Sequence, residues 1–116
     1  MITLFGIPNC DTVKKARTWL TDHNVDYSFH DFKKQGVPEA QLDHWLAAVG
    51  WETLVNRKGT TWRGLDEATK AAVLDAASAR SAILGAPSIV KRPVVVWANG
   101  QVTVGFKPET FAEQLA

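Results

Sequence analysis

Cys10 is the only cysteine in the 116-residue chain, and it stands in Pro8-Asn9-Cys10-Asp11-Thr12, between an apolar run and a helical pattern. A thiol in such a place can act as a nucleophile, but the chain holds no second thiol to resolve the product. Upstream, Ile2-Thr3-Leu4-Phe5 is a short run of strand formers that ends at the turn residues Gly6 and Pro8. Downstream, Val13, Ala16, Trp19 and Leu20 fall on one face of a helix, with Lys14, Lys15 and Thr18 off it. Asn9 is the expected N-cap, which would put Cys10 and Asp11 in the first turn. There, unpaired backbone N–H groups and the positive end of the helix dipole favour an anion, and a thiolate is one. Lys14 and Arg17, one and two turns along, would add positive charge, while Asp11 opposes it. A lone cysteine in a reduced protein is commonly a small buried hydrophobe without chemistry; the strand-to-helix loop is what sets Cys10 apart.

The elements that must hold this loop follow from the rest of the pattern. Val25-Asp26-Tyr27-Ser28-Phe29-His30 alternates as a half-buried strand, and the intervening helix can join two parallel strands, giving a β-α-β opening. From Pro38 to Ala86 the chain reads as helical. Pro38-Glu39 starts a helix that runs through Leu42, Trp45, Leu46 and Val49 and ends at Gly50. Asp66 caps the alanine-rich stretch Glu67 to Leu84, Ser78 is expected to cap a second short helix inside it, and Gly85 and Pro87 stop the run. Pro93-Val94-Val95-Val96-Trp97, then Asn99-Gly100, then alternating Val102, Val104 and Phe106 read as a β-hairpin. Pro108-Glu109 opens a last helix with Phe111 and Leu115 expected to face inward.

Composition bounds the function. With 46% hydrophobic residues the chain fits a single domain, residues 1–116, with one core. Thirteen basic against twelve acidic residues leave a net charge of +1, so no global field points to nucleic acid or to an anionic membrane. The first residues carry no basic segment followed by a long apolar one, and no apolar run approaches a membrane span. A soluble, cytoplasmic protein is expected, which agrees with a single cysteine and no intrachain disulfide. His23, His30 and His44 are scattered singly, so neither a metal site nor a catalytic triad is expected. No glycine-rich phosphate loop occurs. The five tryptophans are expected mostly in the core. Trp62, in the loop-like Gly59-Thr60-Thr61-Trp62-Arg63, is expected to fill a gap between helices, with covering the thiol or a partner as the alternative.

The order β-α-β, a helical block, then β-β-α, with a cysteine after the first strand, resembles the thioredoxin fold. Three segments make the resemblance more specific: Pro8-Asn9-Cys10-Asp11-Thr12-Val13-Lys14-Lys15-Ala16, Asn56-Arg57-Lys58-Gly59-Thr60-Thr61-Trp62-Arg63, and Ile89-Val90-Lys91-Arg92-Pro93. Together they resemble the arsenate reductase (ArsC/Spx-like) family, most of all its YffB branch. The resemblance implies an α/β (α+β) chain: a thioredoxin-like four-stranded mixed sheet with a helical insertion, about residues 35–86, between the second and third strands. It also implies that Cys10 is the nucleophile and that Pro93 is the fold's cis-proline, whose backbone can pair with a bound thiol compound. Arg92 then supplies paired donors to an oxyanion or carboxylate.

Departures from the family pattern narrow the chemistry. Lys107, in Phe106-Lys107-Pro108, stands where arsenate reductases of this type carry a third arginine, and lysine lacks the planar fork. A further basic position falls on Arg57 or on Lys58. Asp11 beside the thiol repels an oxyanion, and Val13 stands where a Cys-X-X-Cys motif has its second cysteine. The expectation is therefore a monothiol, glutathione-dependent thiol–disulfide reductase. Glutathione serves as co-substrate, no cofactor is bound, and Asn9, Thr12, Lys14, Arg57 or Lys58, Arg92, Pro93 and Lys107 contribute to its site. A glutaredoxin or protein thiol is the expected partner, and the protein is expected to be a monomer. An arsenate reductase coupled to glutathione and glutaredoxin is the first alternative. A non-catalytic, Spx-like protein-binding module is the second.

Overall fold

The computed structural model describes residues 1–116, which form two compact units: residues 1–35 with 92–116, and residues 36–91. The first unit contains all four strands, β1 (Ile2–Gly6), β2 (Tyr27–Asp31), β3 (Val94–Val96) and β4 (Val102–Val104), in the spatial order β2-β1-β3-β4. β1 and β2 are parallel, while β3 is antiparallel to both β1 and β4. This is the mixed sheet expected from the thioredoxin resemblance. The parallel pair is joined by α1 (Asp11–Asp22), and α8 (Pro108–Leu115) closes the chain. Ile2 and Leu4 on one face of β1, with Val95 and Trp97, bury against Val13, Ala16 and Leu20 of α1 and against Phe111 of α8.

Local chemistry explains where the elements start and stop. Asn24 takes the left-handed conformation (φ 56°) after α1. The Asn24 N–H donates to the Thr21 carbonyl at 3.0 Å and the Val25 N–H to the Leu20 carbonyl at 2.9 Å, the paired bonds of a Schellman ending. Val25 is thus occupied in closing the helix, and β2 begins at Tyr27 rather than at Val25. After β3 the Gly100 N–H bonds the Trp97 carbonyl at 2.8 Å, and Gly100 has φ 86°, so Asn99-Gly100 closes the predicted hairpin through a three-residue loop. At the far end of the chain, Leu115 is 41% exposed, against the expected inward face. The last turn of α8 extends past the buried Phe111 with no layer over it.

Gly6, the last residue of β1, lies against the helix it feeds. A Cβ there would sit 2.8 Å from Cγ2 of Val13, a fully buried, β-branched residue with little rotamer freedom. Gly6→Ala is expected to destabilise the chain by about 1–3 kcal/mol through overpacking. Val13→Ala in the same chain should recover part of that loss in urea denaturation. Additive effects of the two substitutions would refute the contact as the cause.

The second unit is helical: α2 (Phe32–Gln35) ends the first unit, and α3 (Glu39–Val49), α4 (Trp51–Leu54), α5 (Thr60–Arg63), α6 (Glu67–Ala72) and α7 (Ala76–Gly85) follow, with a 3-10 turn over Pro87–Ile89. Leu42, Trp45, Leu54, Ile83 and Ile89 are its fully buried centre. Trp62, on α5, is buried at 9% exposure. Asp66 caps α6 by accepting from the Thr69 N–H at 2.9 Å. The cap of α7 is Asp75, not Ser78. The Asp75 carboxylate accepts from the Ser78 N–H at 2.9 Å, and Ser78 answers from the third helical position by accepting from the Asp75 N–H at 3.0 Å. Such a reciprocal box satisfies two end donors, which a serine cap at position 78 would leave to solvent.

Hydrogen bonds from Thr69 and from Ser78 hold the Asp66 and Asp75 carboxyls below the usual carboxylate range. A lowered folded value means that this stabilisation is present above the ordinary value of ~4 and is lost as pH falls through the folded one. Asp75→Ala should therefore flatten the acid limb of a urea-denaturation profile, and an unchanged limb would contradict the assignment. No helix is long and apolar enough to cross a membrane.

Candidate active site

The loop after β1 is a tight turn. The Cys10 N–H donates to the Ile7 carbonyl at 3.2 Å, which puts Pro8 and Asn9 at the two central positions, a placement that suits proline's fixed φ. Asn9 is therefore used by the turn and is not the helix cap. Cys10 is the cap: its backbone is extended (φ −91°, ψ 126°), and its carbonyl accepts the first helical bond from the Lys14 N–H at 2.9 Å. Its side chain makes no capping hydrogen bond. Cys10 thus holds the residue position at which a serine or aspartate side chain can accept an N–H of the first turn, at the positive end of a 12-residue helix. Cys10 is half-buried against the core of the first unit, with Asn9, Asp11, Thr12 and Lys14 exposed around it.

Arg17 departs from its expected role. Its Nε donates to the Tyr27 hydroxyl at 3.0 Å, and its guanidinium lies 4.1 Å from the Phe29 ring centroid. The charge is held by β2, so Lys14 is the helix cation nearest in sequence to the thiol.

Sheet register brings two more segments to the same end of the sheet. Phe5 pairs with Val94, so Arg92 and Pro93, which precede Val94, arrive beside the end of β1 that runs into the Cys10 turn. The Arg92–Pro93 peptide is cis, as the resemblance implied, and Pro93 is buried. Val94 pairs in turn with Val104, and the Gly105 N–H donates to the Pro93 carbonyl at 2.9 Å, with Gly105 at φ 83°. That positive φ turns the chain toward Phe106 and Lys107, and Lys107 is exposed at the N-cap of α8. Cys10, Arg92–Pro93 and the Gly105–Lys107 turn thus share one end of one sheet.

Arg57 and Lys58 belong to the other unit. They follow α4 in a turn in which Asn56 Oδ1 accepts from the Lys58 N–H at 3.3 Å and the Lys58 carbonyl accepts from Arg63 at 2.7 Å. Both line a cleft that also contains Lys91 and Glu52. Arg57 stands 3.8 Å from Glu52 and 5.5 Å from the Trp51 ring, both weak restraints on an exposed guanidinium. Lys91 went unassigned in the sequence reading, although its place directly before Arg92 was the available signal.

The sheet order, the cysteine after the first strand and the cis-proline before the third define a thioredoxin-like α/β protein with a helical insertion. The ArsC family profile matches residues 5–114, and the chain belongs to that family. It is similar to the solved YffB protein, with a TM-score of 0.94 and 51% identity over 100% of both chains. It is 52% identical to an arsenate reductase (ArsC) related protein from Brucella melitensis, with a TM-score of 0.74, over 97% of this chain and 92% of that one. The global transcriptional regulator Spx of Streptococcus pyogenes is 26% identical over 111 residues, 94% of this chain and 81% of Spx.

Proposed function

We propose that the chain is a monothiol, glutathione-dependent thiol–disulfide reductase with Cys10 as nucleophile. The observation that carries this reading is the position of the chain's one thiol at the cap of α1, at the same end of the sheet as the Arg92–Pro93 cis peptide. The Cys10 thiolate attacks a mixed disulfide of glutathione, forming Cys10–S–S–glutathione and releasing the substrate thiolate. A second glutathione thiolate then attacks the glutathione sulfur of that intermediate, yielding oxidised glutathione and free Cys10. One disulfide is reduced and one is formed, with two electrons passing to the substrate. Asn9, Thr12 and Lys14 line the turn and the first helical turn, the backbone just before the cis-proline pairs with the bound tripeptide, and the Arg92 side chain and Lys107 hold its carboxylates. The chemistry needs reduced glutathione, which a cytoplasmic location supplies. Arsenate fits less well, because the Asp11 carboxylate at the first helical position repels an oxyanion. A glutaredoxin or a protein thiol could replace the second glutathione.

The test is intact-protein mass spectrometry after incubation with oxidised glutathione. One glutathione adduct, reversed by reduced glutathione and absent from Cys10→Ser, is the expected result. No adduct on the wild-type chain would overturn the reading and favour a binding module like Spx. Arg92→Ala should raise KM for glutathione about tenfold or more, the worth of a charge-assisted hydrogen bond, with a smaller change in kcat. Arg92→Lys should restore only part of it, because lysine lacks the bidentate fork. An unchanged KM would remove Arg92 from the site.

A further inference from the structure

Along α1 from Lys14 onward lies a groove whose lining shares only Lys14 with the glutathione site proposed above. One wall is the outer face of α1, with Lys14, Lys15, Thr18 and Trp19; the other is Phe106 and Pro108 at the entrance to α8. All of these residues belong to the first unit. The floor is apolar and rigidly backed: Trp19 is stacked on His23 at 3.8 Å, and both Trp19 and Phe106 pack edge-on against the fully buried Phe111, at 5.5 and 4.8 Å.

The charges on the rim are arranged, not mixed. Lys14 and Lys15 stand at the Cys10 end, where with the positive end of the helix dipole they outweigh the exposed Asp11, and Asp22 stands at the other end of the groove. Lys14 and Asp22 are eight residues apart, about 12 Å along a helix, which is the reach of about four extended residues. Lys107, between Phe106 and Pro108, adds a third exposed cation on the Cys10 side.

We propose that this groove docks an extended, apolar stretch of about four residues flanking the disulfide of a protein substrate, with an acidic residue nearest Cys10. The inference rests on the thiol reductase reading and deepens it: the oxidised substrate is a protein, not a small disulfide. The apolar side chains of the segment lie over Trp19 and Phe106, the acid faces Lys14 and Lys15, and Asp22 rejects an acid at the far end. Like charges juxtaposed at a rim mainly set which partner is rejected, and opposite ones speed its arrival.

Two measurements separate this proposal from the reading beneath it. In the first, the chain reduces two peptides, each carrying one cysteine as its glutathione disulfide beside a Leu-Phe pair. One peptide has glutamate and the other lysine on the Cys10-facing flank, and hydroxyethyl disulfide serves as an uncharged small substrate. The acidic peptide should react at least about fivefold faster than the basic one, and Lys15→Glu should abolish or reverse that preference. Hydroxyethyl disulfide should change less than twofold. In the second, the Cys10→Ser chain is titrated with the same peptides carrying serine for cysteine, and amide shifts are read by NMR. Shifts confined to residues 14–22 and 105–108, stronger for the acidic peptide, support the groove even if no thiol chemistry is found. Equal rates for the two peptides in both wild type and Lys15→Glu would overturn the proposal, as would shifts elsewhere or none. Concentration-dependent self-association lost in Lys15→Glu would also overturn it, making the groove an interface between two copies.

Discussion

Cys10→Ser is expected to eliminate the glutathione adduct and to lower disulfide reduction at least about a thousandfold, while making the chain more stable. The loss follows from removing the nucleophile of a covalent mechanism that has no second thiol to take its place. The gain has a separate cause. Cys10 caps α1 with an extended backbone but contributes no side-chain hydrogen bond, whereas serine in the same position accepts an N–H of the first turn. An improvement of about 0.5–1 kcal/mol is expected, a rise in Tm of about 2–5 °C. Thermal unfolding beside the activity assay checks both signs at once. Activity retained in Cys10→Ser would end the nucleophile assignment. Activity lost together with stability would mean that the sulfur is mainly a packing group of the core it touches.

The largest effect on stability is expected at Phe111. Its ring is fully buried and meets three others nearly at right angles: Trp97 at 4.9 Å, Phe106 at 4.8 Å and Trp19 at 5.5 Å. Edge-to-face pairs stabilise beyond their buried area, and removing a buried phenylalanine leaves a cavity that its neighbours fill only in part. Phe111→Ala should cost about 3–5 kcal/mol, a large share of the ~5–15 kcal/mol typical of a whole domain. Tm should fall by about 10–20 °C. Phe111→Leu, which refills most of the volume, should lose less than half as much. The site should feel the change too, because Phe106 rests on this ring and leads directly into Lys107. A cost below about 1 kcal/mol would show that the aromatic cluster relaxes around the vacancy.

Strand and helix identities were legible where one local signal dominated. The apolar run at Ile2–Phe5, the Asn99-Gly100 turn, the proline-led start and glycine stop of α3, and the Asp66 cap all act within a few residues of chain. The errors lie where two local signals competed. Asn9 is a good cap by type, but Pro8 drew it into the turn and passed the cap to Cys10. Ser78 is also a good cap by type, but Asp75 three residues earlier completes a reciprocal box with it. Val25 reads as strand, yet its N–H closes α1 through Asn24.

The amino-acid sequence by itself determined the order of the elements, the single thiol at a strand-to-helix junction and the ArsC-type motifs around it. All of these depend on residue type and spacing along the chain. Only the tertiary structure decided which segments share the end of the sheet that carries the thiol. Register brings Arg92–Pro93 and the Gly105–Lys107 turn to the end of β1, because Phe5 pairs with Val94 and Val94 with Val104. Packing removes Arg17 to Tyr27 and Phe29, although its spacing from Cys10 pointed the other way. The apolar groove between α1 and the entrance to α8 is likewise invisible in the sequence, since its walls lie more than eighty residues apart and meet only when α1 and α8 close on Phe111. A flexible charged side chain takes its direction from partners on other elements, and those partners are supplied by the fold.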